Sequence, residues 1–291
     1  MCTYHEILEA SIRHLEGLKA QGARFVSVSP ETLAALGQAN PVPRPSAGVA
    51  QAENPTLIQA PSPLSPLKPP TATPGAEAQT KAQAMAALRE QVIPCVKCSH
   101  LASSRRSVVF GVGDVNSPLM FIGEAPGADE DKQGEPFVGR AGQLLTRIIQ
   151  AMGFAREGVY IANILKCRPD TPGQSFGNRK PTPEEMATCI PYLQQQIDLI
   201  QPKAIVALGA TAVEGLLART IAITHLRGQW QSYRAIPLMP TFHPSFLLRP
   251  ENGDKKRLVW EDMLQVMEKL GLPISDKQRS YFLKSEGPSA A

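Results

Sequence analysis

Long apolar runs are missing from this 291-residue chain, and aromatic residues make up only 5% of it. Without a stretch near the ~20 residues that cross a bilayer, no transmembrane helix is expected. An unbroken apolar signal is missing too, because His5, Glu6, Glu9 and Arg13 interrupt MCTYHEILEASIRHLEGLKA, so a cytoplasmic location is expected. Five cysteines in a reducing compartment read as ligands, catalysts or buried thiols rather than as a disulfide framework. Charge of one sign is not in large excess: residues 91–272 carry 20 Lys+Arg against 17 Asp+Glu, a balance of +3. Nucleic-acid binding would therefore rest on local patches rather than a global field.

What is present divides the chain. Residues 1–40 hold a helical pattern at Ile7, Leu8, Ile12, Leu15 and Leu18, a candidate interaction element for a protein partner. Residues 41–74 contain ten prolines and no aromatic residue, so the reading to residue 80 is a Pro/Ala-rich disordered linker. The alanine-rich stretch 76–92 reads as a helix leading into a main domain, 81–272, followed by a tail, 273–291.

Within that domain, apolar segments at 118–122, 159–162, 204–208 and 236–239 read as buried strands. Helical patterns at 140–152, 183–200, 210–218 and 255–270 alternate with them. The alternation predicts an α/β fold, three layers α/β/α, around a central, mainly parallel four-stranded sheet. Ligands in such folds bind beyond the carboxyl ends of the strands, which here read GEAPG, NILKC, LGATA and TFHPS.

Each end carries polar or glycine-rich chemistry. Gly123 and Gly127 bracket Pro126 in a turn that lets backbone approach a flat ligand. Asn163 offers a donor and an acceptor to an edge that presents both, and His243-Pro244-Ser245 supplies an imidazole. Cys95-Val96-Lys97-Cys98 form a close pair, while Cys167 and Cys189 stand alone. That spacing leaves an iron–sulfur cluster, zinc and unligated thiols all open. Cys2 has no partner in this pattern.

Taken together, GEAPG-x2-ED-x2-G-x-PFVGRAG, N-x3-KCRP, NR-x-P-x3-E-x3-C and HPS-x-LLR resemble the family 4 uracil-DNA glycosylases, the iron–sulfur branch of their superfamily. The resemblance runs from near Ile93 to near Gly271 and says nothing of residues 1–80. It implies a 4Fe-4S cluster on Cys95, Cys98, Cys167 and Cys189, uracil-containing DNA as the partner, no membrane, and a monomer. Excision requires the nucleotide to be everted into a pocket that stacks on the base and reads its edge. The resemblance implies that Phe137 stacks, Asn163 binds the uracil edge, and Gly123 and Ala125 form backbone walls. Glu130 would crowd the C5 edge and exclude thymine's methyl group. His243 would donate to the uracil oxygen as charge develops, while Glu124 and Asn163 position or polarise the water. Many relatives in the wider superfamily place an aspartate where this chain has Ala125.

DNA contact is expected from Arg140, Arg227 and Arg249, with Phe246 or Leu247 as an apolar wedge in the base stack. The stretch RPDTPGQSFG after Cys167 is longer than the family's compact linker. Three other readings stand beside excision: a covalent uracil-DNA-binding relative, a non-catalytic DNA-binding module associated with a polymerase, and an iron–sulfur electron carrier.

Overall fold

The computed structural model of the protein describes residues 74–170 and 178–283, with side chains from Thr80 onward. These residues fall in one compact unit, 68–291. The expected segment 1–40 with Cys2 and the expected linker as far as residue 73 lie outside the described residues, whereas residues 74–80 of that linker are helical rather than disordered.

The chain runs through α1 (Pro74–Val92), α2 (Ser99–Ser104), β1 (Val112–Gly113), β2 (Leu119–Gly123), α3 (Ala128–Gln133), α4 (Arg140–Ala151) and β3 (Tyr160–Asn163). It continues through α5 (Pro183–Ile200), β4 (Ala204–Leu208), α6 (Ala210–Leu217), α7 (Ile223–Leu226) and β5 (Gln231–Tyr233). The remaining elements are β6 (Ile236–Thr241), α8 (Pro244–Leu247), α9 (Lys255–Lys269) and α10 (Asp276–Ser280).

Six strands form the sheet, in the order β1-β3-β2-β4-β6-β5. The four expected strands are its parallel centre, and β1 and β5 extend it as antiparallel edges. The four-strand expectation is thus short by two edges of two and three residues, too brief to show a period. One of them is Val112–Gly113, which follows Gly111.

Every residue of β2, β3 and β4 is buried, as a sheet covered on both faces requires. Alternation divides their side chains between two cores. Met120, Ile122, Ile205 and Ala207 face α1, α5 and α6, while Leu119, Phe121, Ile161 and Val206 face α4 and α9. On α4, Leu145 and Ile149 are fully buried four residues apart, one helical turn, and truncating either to alanine would cost about 2–5 kcal/mol. Helix α5 starts sharply because Thr182 accepts from the Glu185 amide while Glu185 accepts from the Thr182 amide.

Packing does not stop at residue 272. Trp260 Nε1 donates to the Gln278 carbonyl at 2.5 Å, and Gln278 Nε2 donates to the Ala151 carbonyl at 2.8 Å. Helix α10 is thereby seated on the α4–α9 side.

Because β2 is flanked by β3 on one side and β4 on the other, the chain reverses its winding there. Such a reversal opens a crevice beyond the carboxyl ends of the strands.

Candidate active site

A pocket of about 380 Å³ opens at that crevice, within the range of small-molecule sites. It is lined by Glu124 and Ala125 after β2, Asn163 at the end of β3, Leu208 and Gly209 at the end of β4, and His243 after β6. Glu130 and Phe137, from the glycine-rich segment after β2, complete the wall. The four strand ends therefore converge, together with the two residues expected from the loop.

Asn163 is 2% exposed and its Oδ1 has no hydrogen-bond partner among the described residues. An unpaired buried acceptor costs about 1–3 kcal/mol, and one facing a pocket is met by a ligand's donor. Two ring atoms of Phe137 and Asn163 Oδ1 crowd Gly123 so closely that a Cβ there would lie 2.5 Å from each side chain. Only glycine lets the amide and the ring approach the same point.

Phe137 is itself in the left-handed region, φ 54°, which costs about 1–3 kcal/mol for a non-glycine residue. Its carbonyl lies over Gly142 of α4, where a Cβ would come within 1.7 Å of that oxygen. The spacing in PFVGRAG thus has a physical reason: the chain turns back at Phe137 onto a helix whose first turn has no side chain in the way.

The acidic run 129–131 lies in the short helix α3. Glu130 Oε2 accepts from the Gly127 amide, and Oε1 accepts from the Val138 and Gly139 amides, each at 3.0 Å. Asp131 is buried and accepts from the Arg106 and Ser107 amides. These carboxylates fasten backbone. Glu130 is consequently a rigid wall on the pocket side.

His243 caps α8: its Nδ1 accepts from the Ser245 amide at 3.1 Å and lies 2.7 Å from Ser245 Oγ. With Nδ1 accepting, the neutral ring carries its proton on Nε2. Burial pulls the imidazole down to about 4, and the Glu130 carboxylate only partly opposes this. The ring is therefore neutral at physiological pH. Its centroid is 5.6 Å from that of Phe137.

Sequence reasoning assigned nothing to Asn178, Leu208, Gly209, Ala141 or Ser245, all of which line the pocket. Asn178 Nδ2 donates to the Pro126 carbonyl at 2.8 Å, bracing the turn after β2, and the NR-x-P segment that carries part of the resemblance was its available signal.

The expected DNA-contacting residues divide. Arg140, at the start of α4, and Arg249, after α8, are exposed. Arg227 is not a rim residue: its guanidinium pairs with Asp262, which is fully buried, and donates to the Leu258 carbonyl. Leu247 is 4% exposed and packs with Phe242 and Val259, so it is core and not a displayed wedge. Phe246 is half-buried, its ring stacked 4.8 Å from that of Phe242.

Elsewhere in the unit, Cys95, Cys98, Cys167 and Cys189 line a single cavity whose other walls include Val92, Leu101 and Val108. All four are free of disulfides. Burial raises the Cys98 and Cys167 thiols, and raises Cys189 to about 11; neighbouring cysteines add to each shift. Arg105 Nη1 donates to Cys167 Sγ at 3.1 Å, and the Lys166 amide donates to Cys189 Sγ at 3.3 Å. Among the described residues, no three His, Cys, Asp or Glu side chains are gathered closely enough to hold a single metal ion. The donor set is all sulfur and confined to one cavity.

No helix of the described residues is long and apolar enough to cross a membrane.

The sequence profile of the Uracil DNA glycosylase superfamily matches residues 110–264, which contain every pocket residue named above. The chain is 42% identical over 212 residues to the type-4 uracil-DNA glycosylase of Thermotoga maritima, covering 72% of this chain and 99% of the relative. Identity to the type-4 uracil-DNA glycosylase of Sulfurisphaera tokodaii is 38% over 213 residues, 69% of this chain and 91% of that one. A type-5 uracil-DNA glycosylase of Pyrobaculum aerophilum matches at 26% over 213 residues, 62% of this chain and 88% of the relative. With the converged strand ends and this similarity over most of its described length, the chain belongs to the uracil DNA glycosylase superfamily, in its type-4 group.

Proposed function

We propose that the pocket receives deoxyuridine everted from single- or double-stranded DNA and hydrolyses its N-glycosidic bond, starting base-excision repair. The observation that carries this reading is the unpartnered Asn163 Oδ1, buried in a pocket that also presents Phe137 and His243. Uracil's edge offers one N–H between two carbonyls, so the Asn163 amide can accept from the N–H and donate to a carbonyl. Phe137 stacks on the ring. Glu130, held by three backbone amides, occupies the C5 side and cannot withdraw for a methyl group.

Cleavage leaves negative charge on the uracil and positive charge on the sugar. His243 Nε2–H donates to the oxygen where that charge grows, and a neutral donor does so without transferring its proton outright. Glu124 holds the attacking water and its carboxylate favours the cationic sugar. Ala125 contributes backbone alone. Arg140 and Arg249 meet phosphates at the rim, and Phe246 is the side chain of α8 available to support the opened stack.

Cys95, Cys98, Cys167 and Cys189 would hold a 4Fe-4S cluster, which when bound cross-links α2 and α5 to the segment after β3. Glycosidic hydrolysis moves no electrons, so its contribution is to folding. What supports this reading is that the four sulfurs line one cavity.

The test is release of abasic sites from uracil-containing single- and double-stranded DNA. Asn163→Ala is expected to lower kcat by about 10²–10³. A wild-type protein that forms no more abasic sites than this variant defeats the reading.

A further inference from the structure

Lys166 is 1% exposed, yet no carboxylate pairs with it among the described residues. Its Nζ donates to the Asn163 carbonyl at 3.1 Å and to Gln196 Oε1 at 2.6 Å, and lies 6.0 Å from the centre of the Phe110 ring. Burying an ammonium costs several kcal/mol unless its donors are met, so a position that retains one needs a reason.

The reason lies in how the sheet ends. Strand β1 pairs only with Tyr160 and Ile161, and leaves β3 before its last two residues. Beyond that point one backbone bond, from the Val109 amide to the Lys166 carbonyl at 2.8 Å, and several side chains replace the missing strand. Gln196 Nε2 donates to the Phe110 carbonyl and to Tyr160 Oη, both at 3.0 Å, which turns its Oε1 toward Lys166. The Lys166 ammonium then takes the Asn163 carbonyl. On the other side, the Ile164 and Leu165 amides donate to the Gly123 and Glu124 carbonyls, so the strand end is gripped from both flanks. The backbone of Lys166 meanwhile reaches the second site, donating its own amide to Cys189 Sγ.

We propose that Lys166 is a positioning residue for Asn163: it fixes the strand end whose amide reads the base and ties it to the wall of the cysteine cavity. This rests on the pocket being the uracil site. Removing the ammonium frees the Asn163 carbonyl and lets the amide shift, and sub-ångström displacement of a base-reading group weakens base capture without touching DNA contacts.

The experiment uses full-length Lys166→Met protein, purified with its iron, and free uracil as the probe. Expected are unchanged iron content, uracil-free DNA affinity and KM within about twofold, kcat lower by about tenfold, and inhibition by free uracil weaker by about tenfold. A merely structural lysine would lower iron content, DNA affinity and kcat together. That pattern overturns the proposal, as does unchanged kcat with unchanged uracil inhibition. If Lys166→Met fails to fold, Gln196→Met decides. It releases one ammonium partner and is expected to show the same split at about threefold; no split overturns the proposal. Failure of the wild type to form abasic sites, by contrast, defeats the pocket reading itself.

Discussion

The base pocket and the cysteine cavity are joined by the five residues Asn163–Cys167, but they are held in opposite ways. The pocket is ordered by backbone. Glu130 is tied to three amides, His243 caps α8, Phe137 is bent over Gly142, and Asn163 ends a strand of the sheet. The cavity draws its sulfurs from positions 95, 98, 167 and 189, with apolar side chains between them. Its thiols are pushed toward the protonated state and disfavour one another's charge. A pocket built by the fold can wait for its ligand, whereas a cavity of buried thiols becomes a cross-link only when a cationic group binds their deprotonated sulfurs.

The largest effect should come from breaking the cavity. Cys167→Ser is expected to lose iron and its visible absorbance and to lower the unfolding midpoint by about 5–10 °C, taking excision with it. Iron analysis and a thermal melt check this. Equal iron content in the variant would contradict it.

Next is Gly123→Ala, which attacks the pocket alone. The added Cβ meets Asn163 Oδ1 and the Phe137 ring at 2.5 Å, so kcat should fall about hundredfold while iron content stays at the wild-type level. A joint loss of iron and activity would erase the contrast between the two regions.

pH sharpens the comparison further. His243 titrates near 4 rather than 6.5, so its ring stays a neutral donor across that window, and kcat should show no His243-linked fall until pH approaches about 4. Linkage has a definite sign here: the unfolded chain binds this proton first, so stability declines as pH drops from about 6.5 toward 4. His243→Gln should flatten that decline, measured by denaturant melts at pH 7 and pH 5.

The smallest effect belongs to the rim. Arg140→Ala should weaken binding to all DNA sequences a few-fold and reduce the salt slope of log K by about one, leaving single-turnover cleavage at saturation unchanged.

Much of this organisation was legible beforehand, and the residues show why. Strand β4 and helix α5 have the expected bounds, because an uninterrupted AIVAL and a Thr-Pro-x-Glu start are local signals. Strands β1 and β5 were not, since two or three residues carry no period. Nothing local in Asp129-Glu130-Asp131 shows what these carboxylates hold, because their hydrogen bonds reach amides as far off as Arg106 and Gly139. Arg227 looked like a phosphate ligand because its partner, Asp262, lies 35 residues away. Leu247 looked displayed because a four-residue helix has too little length to reveal which side faces inward.

Sequence alone determined the alternation of strands and helices and the chemistry at each strand end. Each of these is written in residue type and short-range spacing. Tertiary structure decided which charges are used up inside, that Asn163 keeps an acceptor unpaired, and that Lys166 bears on both regions. Those outcomes depend on groups far apart in the chain, whose partners are set only when the sheet, its edges and its covering helices close on one another.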